Sequence, residues 1–239
     1  MVFEKSKCAR SQAQRSRVGV LRQADFNQRF ILELQSIENL LFHSPSFLPY
    51  ILGVPFAIDT PATKRWLQIC TDPAFANRPE RFEIDSIGQL IMSPPPGFGH
   101  RQRARAIANL LDQLFAPGES GPGGYAGELA TVEQAILTRD GQIRIADVVL
   151  LTNAQKRWLL ANPTSPLPVA PPVCVEILSR SNTPAEIDEK RALYFDAGAT
   201  EVWICNLDGS MSFFSGVDRQ LSASVLCPHF PHTIPSEAP

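Results

Sequence analysis

No run of about 18 apolar residues occurs anywhere in the 239-residue chain, so no transmembrane helix is expected. The basic opening, MVFEKSKCARSQAQRSRVGVLRQ, contains no continuous apolar segment and does not read as a secretory signal. No two of the five cysteines stand as a CxxC pair, and their number is odd. Cys8, Cys70, Cys174, Cys205 and Cys227 are therefore read as free, reduced thiols of a cytoplasmic protein, with Cys174 and Cys205 inside strand-like apolar runs. The glycine-rich stretch APGESGPGGYAGE lacks the Gly-Lys-Ser/Thr ending of a phosphate-binding P-loop and is read as a plain loop. Bulk positive charge is also missing. The net charge is −2, so any contact with nucleic acid must rest on a local patch. No internal repeat is visible.

What is present suits a globular α/β protein, with 44% hydrophobic residues and a length that buries a core without staples. Residues 1–60 read as an N-terminal extension, partly irregular or helical. The first 35 are polar and basic, and the next 25 carry Pro45, Pro49 and Pro55. Residues 61–239 read as the main domain. Thr63 to Cys70 is a short helix with Trp66, Leu67 and Cys70 on one side. Phe82/Ile84 and Leu90/Met92 alternate on either side of Ser86-Ile87-Gly88, which predicts a hairpin. A helix follows from about Gly99 to Phe115, with Ala104, Ile107, Leu111 and Leu114 as its apolar stripe. Residues 131–137 and 143–151 read as strands joined at Asp140-Gly141, and Trp158 to Leu160 as part of a short helix. VCVEILS reads as a buried strand. Thr183, Pro184 and Glu186 supply the cap, first position and capping box of a helix that Gly198 should end. Strands at Glu201–Asn206 and Ser212–Ser215 close the list, and the whole predicts a mixed sheet flanked by helices.

Three residues break the local pattern. Asp147 interrupts the apolar strand IRIADVVLL, and Glu176 interrupts VCVEILS. Carboxylates inside buried strands are costly without a compensating charge, and a metal ion is one such partner. Lys190 lies in the middle of the apolar stripe Ile187, Leu193, Tyr194 and Ala197, so it faces the sheet, whereas Glu189 and Asp196 point away. The bland alternative is a buried Lys190–Glu176 ion pair with no metal and no catalysis. Elsewhere, His100, Arg101, Arg103 and Arg105 gather at a helix start, where they either meet a phosphate as substrate-binding residues or form a solvated polar turn. Ser179 either hydrogen-bonds Glu176 or caps the turn after the strand, with capping the favoured reading. His229 and His232, with proline between them, make a poor metal pair.

The run VEILSRSNTPAEIDEKRALYFDAGATEVWICN resembles the Uma family of restriction endonucleases, within the PD-(D/E)XK nuclease superfamily. NRPERFEIDSIGQLIMSPPPGFGHRQRARAIANLLDQL resembles that family's first hairpin and helix, and DGQIRIADVVLL its Pro-Asp strand. The likeness extends from about residue 63 to about residue 232. Ala146 stands where the superfamily expects proline. Leu178 stands where the strand lysine would be, and Lys190 looks like its migrated replacement. The resemblance implies a restriction-endonuclease-like core and a Mg2+ (or Mn2+) site held by Asp147, Glu176 and the carbonyl of Ile177, with Lys190 completing the catalytic set. It also implies hydrolysis of phosphodiester bonds in nucleic acid, DNA in the first place, by a homodimer whose two-fold suits a duplex. The alternative is a catalytically inactive member of the fold that serves as a nucleic-acid or protein interaction module.

Overall fold

The computed structural model describes residues 60–115 and 130–235, all within one unit of the chain, Phe56–Pro239. In chain order the elements are α1 (Pro61–Thr71), β1 (Arg81–Ile84), β2 (Leu90–Ser93), α2 (Phe98–Leu114), β3 (Ala130–Leu137), β4 (Ile143–Leu150), α3 (Asn153–Ala161), β5 (Val173–Ile177), α4 (Pro184–Asp196), β6 (Glu201–Cys205), β7 (Met211–Gly216) and β8 (Arg219–Leu221). The expected extension, apart from Thr60, and the expected glycine-rich loop lie outside the described residues.

Local chemistry fixes most helix starts. Thr60, Thr152 and Thr183 each cap a helix through the third residue on, and each forms a reciprocal capping box. α4 stops where Gly198 takes a positive φ of 107°, a conformation that costs a side-chain-bearing residue and not glycine. α3 contains Trp158 to Leu160, as expected, and Thr152 and Gln155 set its start ahead of the apolar residues.

The strands form an eight-stranded mixed sheet in the order β2-β1-β4-β5-β6-β7-β8, with β3 also paired to β4. β5 and β6 run parallel across the α4 crossover, and the other pairs are antiparallel. α2 packs Ala104, Ile107, Ala108 and Leu111 against Val148, Leu150, Val173 and Val175 on one face. α4 places Ile187, Tyr194 and Ala197 against Val149, Cys174, Val202 and Ile204 on the other. The sheet is therefore covered on both faces, which is why β4 and β5 read as nearly continuous apolar runs. Cys174, Cys205 and Cys227 are buried free thiols.

The face assigned to α1 needs correction. Ala62 and Ile69 are its buried residues, with Trp66 packed beside them, whereas Leu67 and Cys70 are exposed. Trp66 instead anchors the helix by donating from its indole to the Thr164 carbonyl at 2.9 Å. Among the described residues no helix is long and apolar enough to cross a membrane.

β4 also creates a fork. Ile143 pairs with Leu137 of β3 and with Ile84 of β1, while Val148 pairs with Val132 of β3 and with Val175 of β5. A strand has two edges, and β3 takes one of them along its length. β1 and β5 must therefore share the other edge and part between Ile143 and Val148.

Candidate active site

The fork is where the pattern-breaking carboxylates gather. The register Val148↔Val175 leads next to Asp147 on β4 and Glu176 on β5, and there the ladder stops. Backbone donors left free by the parting strands are taken by side chains. Ile177 donates its N–H to Asp147 Oδ2 at 2.6 Å, and Ile145 donates its N–H to Oε1 of Glu83 on β1 at 3.0 Å. Each carboxylate thus replaces a missing ladder bond, so an unpaired buried N–H is avoided.

Asp147 is 2% exposed. His100 Nε2 from the start of α2 lies 3.2 Å from its Oδ2, and Arg81 Nη2 lies 2.6 Å from its Oδ1. Burial alone would raise the Asp147 pKa. The His100 hydrogen bond, the charges of Arg81 and His100, and the Ile177 N–H outweigh it and hold the carboxyl at about 2. Glu176 is equally buried but less well compensated. Lys190 Nζ is 3.3 Å from its Oε2, and the Tyr194 hydroxyl donates to Oε1 at 2.6 Å. Burial, opposed chiefly by Lys190 and reinforced by the Asp147 charge, pushes the Glu176 carboxyl up to about 7. The two neighbouring acids are driven apart, an arrangement common where one group must stay ionised and another must exchange a proton.

The reading of the helix wheel placed Lys190 toward the sheet, and it stands there, with Ile187 and Tyr194 buried beside it. It has a second partner that the sequence did not suggest, Glu83 Oε1 at 3.0 Å. Arg144 Nη1 approaches Glu83 Oε2 at 3.2 Å, and its Nη2 reaches Glu189 at 3.1 Å, so Glu189 turns back to the rim and not away from the sheet. Glu83, Arg81 and Arg144 were missed because each sits on the polar side of an alternating strand and reads as solvent-facing. Three buried carboxylates face three cations around a cleft of about 350 Å³, which is walled on one side by Pro94, Pro95 and Pro96.

The four helix-start residues do not act as a group, and Arg103 donates to the Leu207 carbonyl at 2.6 Å. His100 belongs to Asp147, whereas Arg101 donates to the Pro96 carbonyl at 2.7 Å. Arg101 and Arg105 line a neighbouring hollow of about 560 Å³ that Asp147 and His100 also border. Ser179 holds the turn after β5 through Asn182, the capping role expected of it.

The donor set suits magnesium or manganese better than zinc. Among the described residues no cluster of three His, Cys, Asp or Glu side chains could hold an ion by itself. Two carboxylates converge at the fork, and the Ile177 carbonyl projects to the same strand edge as its N–H, toward Asp147. Magnesium is typically bound by one or two carboxylates, with water and substrate phosphate filling the rest. Asp147 Oδ1 is buried without a hydrogen bond, and the cation beside it is the Arg81 guanidinium at 2.6 Å.

A mixed, forked α/β sheet covered by helices thus brings two carboxylates and a helix-borne lysine together at the fork. The chain belongs to the Uma2 family, described as "Putative restriction endonuclease", whose model matches residues 65–225. Among solved structures it is similar to one described as a putative nuclease belonging to DUF820 from Anabaena variabilis. That likeness is 14% identical, covers 66% of this chain and 92% of that one, and has a TM-score of 0.47. No curated protein matches the sequence.

Proposed function

We propose that this protein is a Mg2+- or Mn2+-dependent endonuclease that hydrolyses phosphodiester bonds in nucleic acid, DNA in the first place. The observation that carries the reading is the meeting of Asp147, Glu176 and Lys190 at one point of the fork, contributed by two strands and the crossover helix. Asp147, Glu176 and the Ile177 carbonyl would hold the ion. When bound, such an ion polarises a phosphate oxygen and lowers the pKa of an attacking water. Lys190 would orient that water or offset charge developing on the phosphate. Its Nζ already bridges Glu83 and Glu176, so its position is set before substrate arrives. His100, Arg101 and Arg105 would receive flanking phosphates. The reading includes a homodimer working in the cytoplasm, which sedimentation at micromolar concentration tests.

A second reading has its own support. The fork carboxylates are already balanced by Arg81, Lys190 and Arg144, so the fold needs no metal for charge compensation. That suits an inactive interaction module. Cleavage of mixed DNA and RNA substrates with Mg2+ or Mn2+, beside calorimetric metal titration, separates the two. The enzyme reading expects metal binding and cleavage that both fail in Asp147→Asn. Metal-independent nucleic-acid binding with no cleavage supports the module.

A further inference from the structure

We infer that Arg81 is the phosphate-binding residue of the cleft, and that it leaves Asp147 for a phosphodiester oxygen when a divalent ion takes Asp147. This rests on the nuclease reading above and adds to it the residue that recognises the scissile phosphate.

The contact between Arg81 and Asp147 is close but poorly formed. Nη2 lies 2.6 Å from Oδ1, and the Arg81 side chain is 13% exposed. Yet Nε and Nη2 of Arg81, like Oδ1 of Asp147, are buried without a hydrogen bond, so the approach departs from hydrogen-bonding direction. Asp147 cannot offer more. Its Oδ2 already receives the Ile177 N–H and stands against His100. A guanidinium presents donors in a rigid fork that fits two oxygens at once, and Asp147 leaves it only one. The two non-bridging oxygens of a phosphodiester match that fork.

The other cations of the cleft are differently placed. Lys190 is shared by Glu83 and Glu176, and Arg144 by Glu83 and Glu189. Among the described residues Arg81 has a single ion-pair partner. It stands at the first position of β1, opposite Ser93, and lines the cleft. Arg81 also occupies the electrostatic place of a metal ion on Asp147. A divalent ion on Oδ1 would repel the guanidinium beside it, so each weakens the hold of the other on Asp147. An anionic phosphate entering beside the ion is where the displaced guanidinium gains most.

The test uses the full chain, with Mn2+ titrated by calorimetry and a short labelled DNA duplex titrated in Ca2+, so that binding is read without turnover. A neighbouring opposite charge alters a carboxylate's affinity for a cation by about tenfold or more. Arg81→Met should therefore bind Mn2+ about tenfold tighter than wild type and DNA about tenfold weaker. Arg81→Lys keeps a cation beside Asp147 but loses the fork, so Mn2+ affinity should stay near wild type while DNA affinity falls. Unchanged or weaker Mn2+ binding in Arg81→Met overturns the inference, and so does unchanged DNA affinity in either variant. If Arg81→Met does not fold, the DNA arm of Arg81→Lys decides. Wild-type Mn2+ binding that disappears in Asp147→Asn, with Arg81→Met equal to wild type, sinks only the role of Arg81. Absence of Mn2+ binding in wild type and in Arg81→Met removes the metal site of the nuclease reading as well.

Discussion

Lys190 reaches Glu83 on the first strand, Nζ to Oε1 at 3.0 Å, and so ties the crossover helix to the far arm of the fork as well as to the strand before it. Removing this side chain has two separable effects. Lys190→Ala strands two buried carboxylates at once, although Glu83 keeps Arg144 and the Ile145 N–H. Breaking a buried ion pair from one side costs about 3–5 kcal/mol, and that is the expected loss in thermal or denaturant unfolding. Mg2+ should restore part of the stability by neutralising Glu176, while cleavage stays absent. A loss that Mg2+ leaves untouched, with no cleavage in wild type either, would make Lys190 a purely structural residue.

The acids of the fork predict opposite pH responses. Glu176 is raised from an ordinary 4.5 to about 7 in the folded protein, so the native state holds its proton more tightly than the unfolded chain. Its contribution to stability is fully present below about pH 4.5 and is lost as the pH rises through about 7. Asp147 is lowered from 3.8 to about 2, so its contribution is present above pH 3.8 and fails only as the pH falls toward 2. Denaturant melts between pH 4.5 and 8 should show a decline that Glu176→Gln flattens. A variant that declines as steeply as wild type would assign the effect elsewhere.

Tyr194→Phe removes one hydroxyl from a fully buried site. Its hydrogen bond to Glu176 is 2.6 Å long and helps to lower the Glu176 pKa. A hydrogen bond to a charged group is worth about 1.5–3 kcal/mol, and that loss is expected at pH 8, where Glu176 is ionised. At pH 5 the loss should be smaller. The acidic limb of any pH–rate profile should move upward. Equal losses at the two pH values would argue that the hydroxyl serves packing alone.

Glu133 holds a positive φ of 55° in the middle of β3, and the register on either side places it opposite Asp147. A side-chain-bearing residue in that region costs about 1–2 kcal/mol. Glu133→Gly should therefore raise the melting temperature, offset in part by the greater freedom of glycine when unfolded. A lower melting temperature would mean that the Glu133 side chain makes a compensating contact.

The legible part of this architecture was whatever violated a periodicity. Asp147 and Glu176 stood out because they cut apolar strands, and Lys190 because it sat inside an apolar stripe. Glu83 is as buried as Glu176, yet it follows the alternation of Phe82 and Ile84, so nothing in its spacing marks it. Arg81 and Arg144 were hidden in the same way. The buried face of α1 was misread at Leu67 and Cys70: Trp66 packs beside Ala62 and Ile69 and bonds Thr164, which leaves Leu67 and Cys70 outside the packed side. β8, with the residues Arg219, Gln220 and Leu221, carries no apolar pattern and exists only through its pairing with β7.

At the fork, two amide protons point at carboxylate oxygens where neighbouring strands would have supplied carbonyls. Amide resonances respond to the charge of the group they are bonded to, so Ile145 and Ile177 become built-in reporters in an NMR titration. The Ile177 signal follows Asp147 and the Ile145 signal follows Glu83, each read separately although the acids share one cleft. The occupant of each arm of the fork can therefore be followed at single-residue level in a protein carrying no added label beyond nitrogen-15.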